Sequence, residues 1–102
     1  MTGPASHPPW CDPDRCGVTA GRPAGTHCSR LVRLGPQPPG RIAAEVSLAQ
    51  APAVPGYPRS GRPYVVVALG DADEELLVTP LDVELARALG RVLLGFVQEV
   101  AG

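Results

Sequence analysis

From Arg41 the chain alternates, with Ile42, Ala44, Val46 and Leu48 on one parity and Arg41, Glu45 and Ser47 on the other. A period of two with apolar residues on one side predicts a half-buried strand, core on one face and water on the other. Arg30 to Leu34 reads as a short strand before it, and the Gly35-Pro-Gln-Pro-Pro-Gly40 run as the turn between them, giving a hairpin with a longer loop. Tyr64 to Leu69 is apolar on both parities, as a central strand would be. Gly70 to Asp73 then turns, and Glu75 to Thr79 returns as a further strand.

The last segment changes period. Thr79 reads as the N-cap of a helix, Pro80 as its first helical residue, and Asp82 as the carboxylate that completes a capping box near the positive end. At about 100° per residue, Leu85, Leu89, Val92, Leu93, Phe96 and Val100 share one face, and Glu84, Arg87, Arg91 and Gln98 lie opposite. Gly90, at the edge of the apolar stripe, suggests close approach to the sheet; the pattern gives no account of Gly95. The expected fold class is α+β: a small antiparallel sheet of about four strands with one long C-terminal helix across one face. The proline-rich front is the only material left to cover the other.

Composition sharpens this division. The chain has 102 residues, room for one domain, with 13 Pro and 12 Gly, and 44% of its residues are hydrophobic. Twelve of the prolines lie at or before Pro63, so the front is irregular and the back regular. Residues 1–29 form a Pro/Gly-rich loop segment, and residues 30–102 an α+β domain that reads as a single compact unit. Residues 50–63, with Pro52, Pro55, Pro58 and Pro63, read as a stiff, polyproline-like connection.

All nine basic residues are Arg, and Lys and Asn are absent, a bias that GC-rich codons would give. Residues 1–62 carry a net +4 and residues 63–102 a net −5, so the total of −1 supplies no global field toward nucleic acid or an anionic membrane. The longest apolar run, Tyr64 to Leu69, is far shorter than the roughly 20 residues a membrane span needs. Residues 1–20 lack an apolar core behind a basic start, so no secretory signal is read there. A cytoplasmic protein with reduced thiols is the expectation.

Every Cys and both His of the chain fall within residues 7–28, as His7-x3-Cys11-x4-Cys16-x10-His27 with Cys28 beside the last. Random scatter would seldom do that. Two thiolates and two neutral imidazoles suit a tetrahedral zinc ion, and the cluster would be formally neutral. The spacing is not the paired C-x2-C pattern, so Cys28 stands as an alternative ligand to His27 or His7. A segment with little beyond Trp10 to bury is what a structural metal would order. The competing readings are scattered thiols in a disordered leader and a redox disulfide.

The run His7-Pro-Pro-Trp10-Cys11, then Cys16, then His27-Cys-Ser29, with a hairpin and a final Thr79-Pro-Leu-Asp82 helix, resembles a family of small uncharacterised actinobacterial proteins. Its members pair an H-x-x-W-C opening and an H-x-S element with a short β-sheet and a T-P-x-[DE] helix. The resemblance covers most of the chain and implies a zinc-ribbon-like front, with no activity to carry over.

Other features read more plainly. Trp10 is a hydrophobic plug beneath the loop, or else a recognition aromatic. Asp71-Ala-Asp73-Glu74-Glu75 lacks the spacing of a calcium loop and reads as an acidic hairpin turn. No nucleophile–base pair or phosphate-binding glycine fingerprint is present, so no enzyme is expected. The functional expectation is a zinc-stabilised binding or adaptor module for a protein partner, with Trp10 and the Arg-rich front as its contact surface. The alternatives are a nucleic-acid-associated regulator using Arg15, Arg22, Arg30 and Arg33, and a thiol redox sensor using Cys11, Cys16 and Cys28.

Overall fold

The computed structural model describes residues 7–19, 21–22, 25–37, 41–58 and 60–101. Among these residues, five strands and one helix follow in order: β1 (His27–Cys28), β2 (Val32–Gln37), β3 (Ile42–Gln50), β4 (Tyr64–Asp71), β5 (Leu77–Asp82) and α1 (Val83–Ala101). The fold is α+β, an antiparallel sheet with a C-terminal helix. β4 lies between β3 and β5, as its two-sided apolar sequence requires. The other edge of β3 is shared, β2 pairing with its first half and β1 with its end.

β2 begins and ends later than the alternation suggests. It runs through Gly35 and Pro36, and the register shifts between Leu34 and Gln37. Gly35 has a positive φ of 82°, which lets the edge strand bulge there without a steric penalty. Part of the expected turn, residues 38–40, lies outside the described residues. Residues 50–63 are tied by side chains rather than stiffened by proline alone: Ser60 Oγ accepts from Val54 N at 2.7 Å and donates to Tyr57 O at 2.6 Å. Gln50 Nε2 donates to Gly61 O at 2.7 Å.

The helix start moves by three residues. Thr79 and Pro80 belong to β5, where Pro80 sits opposite Val66. An edge strand tolerates proline because one side of its backbone has no partner to lose. Asp82 is the cap, its Oδ1 accepting from Glu84 N at 2.8 Å, an arrangement that typically contributes about 1 kcal/mol. β5 therefore runs into α1 with no connecting residue.

That junction overturns the expected packing. α1 does not lie across the sheet: none of its residues is buried, and Phe96 is 63% exposed. Its contact with β4 and β5 is sparse. A β4 strand of about 26 Å and an α1 of about 28 Å, end to end, match the longest dimension of 57 Å. The radius of gyration is 16.6 Å, against about 13 Å for a compact chain of this length. Gly90 does not touch the sheet either, since a Cβ there would meet no described residue within 4 Å.

The buried positions are consequently not those of the expected core parity. Ala43, Ala49 and Ala68 are buried, while Ile42 is 54% exposed. The alanines lie on the face that the 72–76 turn and the Arg33–Glu45 ion pair (2.9 Å) partly close over. The acidic segment is the turn that its sequence suggests. Asp71 accepts from Asp73 N at 2.9 Å, and Asp73 pairs with Arg41 at 2.8 Å.

Candidate metal centre

Three local structures bring distant residues together. Cys11 N donates to Pro8 O at 3.0 Å, closing a turn that holds His7 and Cys11 on one side of it. Asp12 O then accepts from Arg15 N and Cys16 N at 3.0 and 2.9 Å, while its side chain accepts from Asp14 N at 3.0 Å. This single turn fixes the four-residue gap between Cys11 and Cys16. Finally, Gly17 N donates to Thr26 O at 2.8 Å, laying the chain after Cys16 beside the chain before His27.

Ser29 anchors the whole loop to the sheet. It is 6% exposed; its N donates to Leu48 O at 2.9 Å and its Oγ accepts from Leu48 N at 2.7 Å. Arg15 Nη1 closes over it, donating to Ser29 O at 2.7 Å. Neither role is marked by periodicity; the only sequence signal is Ser29 two residues past His27.

The donor atoms of His7, Cys11, Cys16 and His27 all lie within 4.8 Å of one another. Cys11 Sγ is 3.5 Å from His7 Nδ1 and 3.6 Å from His27 Nδ1. Cys16 Sγ is 3.6 and 3.4 Å from the same two atoms. The imidazoles meet nearly at right angles, 81° between planes. Bonds of about 2.3 Å to sulfur and about 2.0 Å to nitrogen, set at the tetrahedral angle, separate those atoms by about 3.5 Å. The four S–N edges agree with that figure.

Protons cannot account for four such contacts. A thiol carries one proton, and a neutral imidazole Nδ1 either donates or accepts, so hydrogen bonds satisfy two of the four. A cation at the centre would satisfy all of them. Further support comes from Val18 N, which donates to Cys16 Sγ at 3.2 Å and would stabilise charge on that sulfur. Burial pushes the Cys11 thiol above its ordinary 9.0, and the neighbouring Cys16 sulfur pushes it further, so without a metal the proton stays on.

Cys28 stands apart from this group. Along β1 successive side chains point to opposite faces, so His27 and Cys28 cannot both turn to one ion. Cys28 Sγ instead lies 3.9 Å from Thr26 O. Trp10 is half-buried and borders an apolar hollow with Val32, Val46, Leu48 and Val65, the plug position. Of the four arginines considered for phosphate contact, Arg15 is held by Ser29 and Arg33 by Glu45, while Arg22 and Arg30 are exposed.

No described helix is long and apolar enough to cross a membrane. A family model described as Domain of unknown function (DUF6907) matches residues 1–102. No curated protein and no solved structure matches the chain.

Proposed function

The chain belongs to the DUF6907 family, and on that premise we propose that it is a small zinc-stabilised binding or adaptor module working through contacts with another protein. The observation that carries this is the set of four nitrogen and sulfur donors whose four S–N separations match those of a tetrahedral site. Zinc has no geometric preference of its own and takes such a set, whereas calcium and magnesium require oxygen ligands. Two thiolates cancel its charge. Because protein groups fill all four positions, none remains for water or substrate, which supports a structural ion and not an enzyme.

The need for a metal follows from the front segment itself. Among the described residues before β1, Val18 is the only buried hydrophobic side chain. Structural zinc typically supplies about 10–16 kcal/mol of apparent folding free energy, while each ordered residue costs about 1–2 kcal/mol in backbone entropy. A reducing compartment, in this reading the cytoplasm, keeps the sulfurs available as ligands. The engagement of Arg15 and Arg33 within the chain weighs against a phosphate-binding face, and Cys11 and Cys16 committed to a metal weigh against a redox sensor.

Elemental analysis of protein purified without chelator tests the proposal. About one zinc per chain is expected, lost in Cys11→Ser and His7→Ala. A metal content near zero in the wild type would overturn it.

A further inference from the structure

Two apolar surfaces of this chain face away from its own core. One is the α1 stripe, from Leu85 to Val100, with Val100 91% exposed. The other is the Ile42 face of the sheet. There Leu34, Leu69 and Leu77 fall in one cross-strand row through Ala44, with Ile42 one step beyond it, and Leu77 is 76% exposed. Trp10 caps the opposite end of the same face, near Leu48 and Val65.

The two surfaces suit each other but cannot meet within one chain. β5 runs from Leu77 to Asp82, so α1 leaves from the end of the sheet farthest from the exposed row. Helix and strand are joined with no intervening residue, whereas reversing a chain between packed elements takes a loop of about 2–6 residues. We propose that α1 of one copy packs along the Ile42 face of a second copy, and that the second returns the same contact about a two-fold axis.

Dimensions and area agree with this. α1 is about 28 Å long, and the exposed row crosses four strands, about 14 Å at about 4.8 Å per step, so one helix laid across the strands covers the row. Six stripe residues and the exposed Val32, Leu34, Ile42, Leu69 and Leu77 form the contact in each copy. At about 60 Å² of apolar surface each, the symmetric pair buries about 1,300 Å², within the range of stable interfaces. The stripe also includes Leu93, beside the Leu89–Val92–Phe96 seam, which is broader than a coiled-coil seam and suits a flat sheet. A lipid surface is the weaker partner for α1: Glu84 and Glu99 balance Arg87 and Arg91, so no basic face draws it to anionic headgroups.

The test is sedimentation equilibrium of the intact chain from roughly 1 to roughly 100 μM, the span in which a micromolar dimer dissociates. The expected mass at the upper end is twice the 10.6 kDa of the monomer. Leu93→Glu on the helix and Leu69→Glu on the sheet each weaken dimerisation at least about tenfold, circular dichroism confirming that both variants fold. A Gly/Ser insertion of about four residues between Asp82 and Val83 lets α1 fold back on its own sheet and yields a compact monomer. A wild type that stays monomeric overturns the proposal, whether or not it binds anionic phosphatidylglycerol vesicles. So does a dimer that ignores Leu69→Glu or survives the insertion, because helix–helix pairing alone would behave that way.

Discussion

Replacing Gly25 by alanine should damage the metal centre without touching a ligand. A Cβ on Gly25 would fall inside contact distance of the Gly17 carbonyl and 3.0 Å from Val18 N, all backbone atoms that no rotamer change can move aside. The two segments run this close because both facing positions are glycine, and they carry Cys16 on one side and His27 on the other. Overpacking of this kind costs about 1–3 kcal/mol. Metal sites accept ligand displacements of only about 0.2 Å, so that cost should appear in metal binding, as an affinity loss of about 5- to 150-fold. The assay is zinc competition against a chromophoric chelator. Gly21→Ala serves as the control in the same loop, since among the described residues its Cβ would meet only Thr19 Oγ1, at 4.0 Å. If Gly25→Ala held zinc within about twofold of the wild type, the close approach would not be what positions Cys16 and His27.

Three further outcomes are expected. Cys28→Ser should keep the wild-type metal content by elemental analysis, because β1 turns that side chain away from the other four. Gly90→Ala and Gly95→Ala should each stabilise the chain by up to about 1 kcal/mol in urea unfolding, since neither new methyl meets any described residue within 4 Å. The pH dependence should change sign with metal. A raised Cys11 thiol favours the protonated fold, so the metal-free protein gains from it below 9.0 and loses that gain as pH rises through the higher folded value. With metal bound the sulfurs are thiolates, so affinity should fall on acidification, by up to about 100-fold per pH unit for two thiol protons, measured by the same competition.

What the sequence shows best is chemistry that depends on residue type. His7, Cys11, Cys16 and His27 stand out because no other part of the chain holds such residues, and the structure brings them together. It did not separate His27 from Cys28, although the period of a strand does so once β1 is recognised as one. The strands were legible where the pattern is strong, as alternation in β3 and as a run apolar on both parities in β4. The end of β5 and the helix start were not, because Thr79-Pro80-x-Asp82 satisfies both a capping box and a proline-bearing edge strand. Only tertiary pairing with Val66 decides between them. The helix stripe marks an apolar face, but periodicity does not say which surface covers it, or on which chain.

The outer edge of β3 offers a last consequence. It is closed by β2 along one half and, at Ala49 and Gln50, by a strand of only two residues that belongs to the ligand loop. If the ion holds that loop in place, it also guards a row of backbone donors and acceptors that would otherwise pair with any passing strand. Depleting the metal would then show first as turbidity and β-rich association, before any change in the helix signal. Zinc supply would set how soluble the protein is as well as how it is shaped.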